Sequence, residues 1–261
     1  MTRNNIIVFV SAIICLLGAT VLVAKLSTLY TNWVLVGLAV LLLSIAVFWI
    51  TKWLLRAFVD PRVKQQIRTA FFTGLSLRIV IALTLYWALM SNTWSGSHGI
   101  FFDDEGWHTL LPTVTFLESW SDIWNESIER GPHILYLLYT YTIYFVFGES
   151  NLVVRLFSAV LAALLIPISA RLALEFTTER DRSRLPVLTA WLVALSPELI
   201  LYSVAVLREW AVALALSAAV LIALRLVSTR LNPILVLSLG VSLTALIVLR
   251  IPAALLLLSV F

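Results

Sequence analysis

The chain has 261 residues, of which 61% are apolar and only 12% charged, and its mean hydropathy is +1.01. Soluble domains carry roughly 25% charged residues, and a surface this apolar would not stay monomeric in water, so a soluble globular domain is excluded. Disorder is excluded as well, because it requires low hydrophobicity; a net charge of +4 is accounted for by cytoplasmic loops and does not call for nucleic acid.

The apolar runs are long, unalternated and rich in Leu, Val, Ala and Ile, which predicts an all-α polytopic bundle rather than an outer-membrane barrel. A crossing helix needs about 20 apolar residues. On that measure the sequence predicts spans at 6–24, 33–50, 69–90, 152–174, 186–207, 211–226 and 233–251. A further apolar run, 252–261, brings the expectation to seven or eight. The first run is too long for a secretory signal and no small-residue cleavage site follows it, so it reads as an uncleaved anchor. Cys15, the single cysteine, lies inside that run and leaves no disulfide framework or cysteine metal site.

Orientation follows from Lys and Arg. Between the second and third spans stand Lys52, Arg56, Arg62, Lys64 and Arg68 against Asp60 alone, a cytoplasmic connector over 56–68 with Asp60-Pro61 as a helix-start signal. The following loop, 91–133, holds Asp103, Asp104, Glu105, Glu118, Asp122, Glu126 and Glu129, half the acids of the chain, and all three histidines, against Arg130. It is expected outside, with the N-terminus cytoplasmic. The loop 175–184 carries Arg180, Arg182 and Arg184 and reads as cytoplasmic. It stays so only if the Tyr-rich stretch 134–147 lies in the interface instead of crossing. On that topology Leu207-Arg208-Glu209-Trp210 reaches the outer face, and Ser196-Pro197-Glu198 lies deeper in the same span.

Chemistry concentrates in Asp103-Asp104-Glu105, which sits before an apolar-periodic run beginning at Leu110. A carboxylate beside a bilayer can act as general base toward an acceptor hydroxyl or hold a divalent cation; acids in an outer loop also serve simply to complement a helix N-terminus. His108 follows Asp104 at i+4, a spacing open to metal ligation or to a plain His–carboxylate hydrogen bond. His133 adjoins Pro132, and Asn125-Glu126-Ser127 matches a glycosylation sequon. An ionisable residue inside a span marks a functional site by default, which singles out Glu198. Pro197 next to it frees backbone groups, so a kink lined by polar partners is expected. A helix running on from Glu198 would bring Glu209 to the same face, three turns away. Arg78 is the candidate structural partner for Glu198. Arg155 and Arg208 offer positive charge to a departing phosphate or merely snorkel to the headgroups.

The acidic loop resembles the first outer loop of the GT-C superfamily of membrane glycosyltransferases, which use polyprenyl-phosphate sugars. The likeness is to the protein-mannosyltransferase-like, phospholipid-carrier-dependent branch (glycosyltransferase family 39-like), whose loop carries Asp-Glu-x-x-Tyr. Here Asp104-Glu105-Gly106-Trp107 is followed by His108 at the aromatic position. One register earlier, Asp103 and Trp107 fit and Asp104 replaces the Glu. Gly131-Pro132-His133, Phe147-Gly148-Glu149-Ser150 and Arg155 look like later family segments, and Glu209 beside Arg208 stands where a second outer acidic site would fall.

With no internal repeat, low-complexity tract or linker, the sequence reads as one membrane domain over 1–261, with two spans and the basic connector in 1–68. The resemblance would make 69–226 the GT-C-like core, and 227–261 would begin further spans that end short of the usual family length. The resemblance also implies transfer of a sugar to an acceptor glycan, lipid or protein at the outer face of a bacterial or archaeal plasma membrane. Asp103 or Asp104 would be the base, and Glu105, His108, His133, Glu198, Arg208 and Glu209 would contact substrate or form the second acidic site. Asp104, His108 and Glu209 form the candidate set for a divalent metal, the one cofactor considered. The competing readings are a transporter or flippase of a lipid-linked saccharide, using Glu198, Arg78 and Arg155 as relays, and a non-catalytic GT-C-like subunit.

Overall fold

The computed structural model describes residues 33–90, 119–129, 134–147, 150–178, 181–205, 207–228 and 233–249. All regular elements among them are helical. In chain order they are α1 (Trp33–Leu54), a 3₁₀ turn (Leu55–Ala57), α2 (Pro61–Met90), α3 (Trp120–Glu129), α4 (Ile134–Phe147), α5 (Asn151–Ala162), α6 (Leu165–Glu175), α7 (Leu185–Leu195), α8 (Pro197–Val204), α9 (Glu209–Ser228) and α10 (Pro233–Leu249).

Asp60 and Pro61 open α2 as their chemistry requires. The Arg62 amide donates to Asp60 Oδ1 at 2.7 Å, and proline at the first position loses an N–H that has no helical partner anyway. The helix therefore starts eight residues before the expected Thr69, and the connector shrinks to the turn that ends at Asp60. The turns holding Lys64, Gln65 and Gln66 are polar and lie beyond the apolar window, so hydropathy alone missed them.

The α5–α6 pair forms the centre of the bundle. It acts as one apolar stretch, Asn151–Glu175, most of which is buried, with α2, α7 and α9 packed around it. Its helix tightens at Ala163–Leu164, where Leu164 N bonds Leu161 O at 3.1 Å and Ile166 N bonds Ala163 O at 3.2 Å. Pro167 explains the site of this break: it offers no N–H to the carbonyl of Ala163, and its ring crowds that oxygen.

The expected span 186–207 is not one helix. It divides into α7 and α8, which meet at a 48° bend at Ser196, immediately before Pro197. Among the described residues, four helices are long and apolar enough to cross a bilayer, or five if the bent pair is one span. The stretches expected at 6–24 and 252–261 lie outside the described residues. The stretch expected at 233–251 forms a 17-residue helix, or ~26 Å at 1.5 Å per residue. Leu188, Leu192 and Leu195 on α7, Leu237 and Val241 on α10, and Leu42 on α1 are exposed, and an outward apolar surface of this kind suits lipid. These are the features of an integral membrane protein.

Two basic segments distant in sequence meet at one end of the bundle. Residues of the Leu55–Asp60 turn and the start of α2 line a cleft together with Arg171, Arg182 and Ser183. Arg225 near the end of α9 reaches Glu175 at 4.0 Å. The long helix α2 leaves this end and α5–α6 returns to it, so the chain between them starts and finishes at the other end. The 14-residue α4, at ~21 Å, is too short for a 30 Å hydrocarbon core.

Candidate functional site

The end opposite the basic cleft gathers α4, the start of α5 and the start of α9. Trp210 fixes the arrangement: its ring meets Tyr139 edge-on at 6.0 Å and Tyr136 at 6.4 Å, and the two tyrosines lie 5.6 Å apart. Such edge-on aromatic pairs contribute about 0.5–1.5 kcal/mol each beyond the area they bury. The Tyr139 hydroxyl shares a 3.1 Å hydrogen bond with Ser158 of α5, and the Tyr144 hydroxyl donates to Asn151 at the first position of α5. The Tyr-rich stretch is thus a packed helix that clamps α5 to α9. The i, i+3 spacing of Tyr136 and Tyr139 is the sequence signal of this shared face.

Arg208 and Glu209 lie at the mouth of this cluster. Arg208 Nε stands 3.6 Å from Glu209 Oε1, and both side chains are largely but not wholly buried. Glu209 occupies the first turn of α9, where a carboxylate complements the positive end of the helix dipole. The guanidinium beside it has the planar donor geometry that suits a phosphate.

Glu198 behaves differently. It is exposed in the first turn of α8, and the chain from it to Glu209 passes the end of α8 at Val204 and a turn at Arg208. No single helix carries both acids, so the shared face expected for a continuous helix does not form. Pro197 is the cause, because it ends α7 and restarts the chain in a new direction.

Arg78 does not pair with Glu198 either. It is fully buried and donates Nη2 to Val193 O at 3.2 Å, and Nη1 to Gly74 O at 3.0 Å and Ala194 O at 3.4 Å. Val193 O is the carbonyl whose helical donor would have been the missing N–H of Pro197. The kink lined by polar partners is thus present, and the partner is an arginine from α2. Gly74 makes the approach possible: a Cβ there would stand 2.6 Å from Ile166 Cδ1, 3.0 Å from Arg78 Nη1 and 3.1 Å from Ala194 Cα.

Arg155, also fully buried, donates to Val204 O, the last residue of α8. The two arginines therefore hold the carbonyl ends of α7 and α8, where the helix dipole favours a cation. For Arg155 this is the structural role that the sequence left open against phosphate binding, and Arg208 is the arginine that remains beside Glu209.

Asp103, Asp104, Glu105, His108 and His133 lie outside the described residues, as does His98. Their loop is followed by α3, whose start is well defined. Ser119 Oγ and the Ser119 amide donate to Asp122 Oδ2 at 2.8 and 3.1 Å, and the Asp122 amide donates back to Ser119 Oγ at 3.4 Å, a reciprocal cap. That bonding absorbs Asp122. Asn125 of the sequon is exposed on α3, which packs on α4. Among the described residues no three His, Cys, Asp or Glu side chains come together to hold a metal ion; Glu209, the one described member of the candidate set, neighbours Arg208.

No family model, curated protein or solved structure matches the chain.

Proposed function

We propose that the protein is a GT-C-type membrane glycosyltransferase that moves a sugar from a polyprenyl-phosphate donor to an acceptor at the outer face. One observation carries the reading furthest: Trp210, which follows the ion pair of Arg208 and Glu209 at the start of α9, packs against α4, the helix that directly follows the acidic loop 91–133. A second acidic position and a cation thereby share the end of the bundle from which that loop departs. The larger count of seven or eight spans belongs to the same proposal.

In this reaction Asp103 or Asp104 takes the proton of the acceptor hydroxyl. The freed oxygen attacks the anomeric carbon in line, forming the new glycosidic bond with inversion. The bond from the anomeric carbon to the phosphate oxygen breaks, and its electron pair leaves on the polyprenyl phosphate. Arg208, held in place by Glu209, offsets the charge on that leaving group, the preorganised electrostatic help expected at such a site. Any divalent metal would be held from Asp104, His108 and Glu209 and would supply the same charge compensation.

The 48° break between α7 and α8 is the feature that favours a transporter, because discontinuous helices build transport sites. Against it, both arginines needed as relays are bonded to backbone carbonyls, and Glu198 is on the outside of α8. The transferase is tested by sugar transfer from polyprenyl-phosphate donors in membranes containing the chain or its Asp103→Asn and Asp104→Asn variants. Loss of transfer in one variant, and in the pair combined, is expected; variants matching the parent would end the proposal.

A further inference from the structure

We propose that the cleft at the basic end of the bundle binds a phosphate-bearing anion, independently of any chemistry at the opposite end. The cleft has a volume of about 390 Å³, within the ~300–1,000 Å³ of small-molecule sites. It is bounded by the turn before α2 on one side and by the α6–α7 junction on the other.

Its charged lining is Asp60, Arg171, Glu175 and Arg182. The two acids are already engaged. Asp60 Oδ1 accepts the Arg62 amide at 2.7 Å, and Glu175 takes Arg171 Nη2 at 2.5 Å, with Arg225 Nε at 4.0 Å. Arg171 lines the cleft, and its buried Nε has no hydrogen-bond partner among the described residues; a buried unmet N–H on a cation is costly to maintain. Arg182 is exposed at the rim. Ser183 adds a hydroxyl just before α7, an 11-residue helix with no side-chain cap at its N-terminus and hence with free positive dipole there. Arg225, which reaches Glu175, brings the arginines at the cleft to three, with Arg171 and Arg182, against the two acids Asp60 and Glu175.

The other walls are apolar, with Phe58, Val59, Val63 and Leu174. A site with an apolar wall and an arginine rim, at the end where basic residues collect, suits the phosphodiester of an anionic lipid. Basic pockets between membrane helices bind such headgroups. The shared chemistry is the phosphate group; a soluble phosphate is the other source.

The test uses the purified chain in an uncharged detergent. Retention of phosphatidylglycerol and of phosphatidylcholine is counted by native mass spectrometry, and a second arm follows thermal stability against inorganic phosphate. Wild type should retain phosphatidylglycerol preferentially, and Arg182→Gln should weaken that retention about fivefold, the factor one arginine contributes against an anionic surface. Arg182 is exposed, so this variant keeps the fold. Arg62→Gln, an exposed arginine outside the cleft, should leave retention unchanged. Stabilisation by inorganic phosphate that depends on Arg182, without lipid preference, would assign the site to a soluble phosphate. Equal loss in Arg62→Gln and Arg182→Gln, or no dependence on Arg182 in either arm, would overturn the proposal.

Discussion

Replacing Arg78 by Met removes the guanidinium donors at the α7–α8 break while keeping a long unbranched chain. Two carbonyls, Val193 O and Ala194 O, then lose that partner. Gly74 O keeps its helical bond, because the backbone N–H at position 78 remains. A buried unsatisfied carbonyl costs about 1–3 kcal/mol. The opposing gain is relief from burying a guanidinium, about 2.5–3.5 kcal/mol at a helix centre in a bilayer. These terms are of similar size, so the single variant discriminates poorly. A double-mutant cycle with Pro197→Ala removes the ambiguity, since the desolvation gain is common to both legs and cancels. The Pro197→Ala change restores an N–H four residues after Val193 and meets its carbonyl without help from α2. Arg78→Met should therefore cost about 1–3 kcal/mol less in the Pro197→Ala background than in wild type, the value of one buried carbonyl. Unfolding free energies of the four proteins in bicelles give the number directly. Additivity within about 0.5 kcal/mol would show that Arg78 does not serve the break at all.

Gly74→Ala forces a Cβ to within 3.1 Å of Ala194 Cα and 2.6 Å of Ile166 Cδ1, and should cost about 1–3 kcal/mol of overpacking; Gly240→Ala meets nothing within 4 Å and should be neutral or gain up to about 1 kcal/mol, both read from the same unfolding measurement. Asp60→Ala removes the cap of α2 and should lower unfolding free energy by about 1 kcal/mol, whereas Asp60→Asn should retain most of it. Single cysteines at the exposed positions Ser121 and Ser183 should label from opposite sides of the membrane, Ser121 from outside and Ser183 only after permeabilisation; labelling of both from one side would remove the topology on which the site rests.

Local chemistry was legible wherever one residue type dictates one backbone outcome. Asp60-Pro61 announced the start of α2, and Pro197 announced a broken helix with unmet carbonyls. What answers those carbonyls was not legible, because Arg78 lies more than a hundred residues earlier in the chain and nothing local links it to Val193. Pro167 passed unread as the cause of the α5–α6 break, because the surrounding apolar run is continuous and hydropathy does not register a missing N–H. For the site, Arg208 and Glu209 were found from their position at the end of a span. The aromatic cluster beneath them was not, since tyrosines near a membrane end read equally well as interfacial anchors. The basic cleft escaped for a third reason: its walls come from two loops that hydropathy can place only on a common side, not in contact.

The most direct test of the account is release of polyprenyl phosphate from a polyprenyl-phosphate sugar by membranes containing this chain, measured with and without Glu209→Gln and the Asp103→Asn, Asp104→Asn pair. The account predicts acceptor-dependent release by wild type, release reduced by one or more orders of magnitude in Glu209→Gln, and none above background in the paired variant. Release that is absent from wild type, or equal in all three proteins, would contradict it.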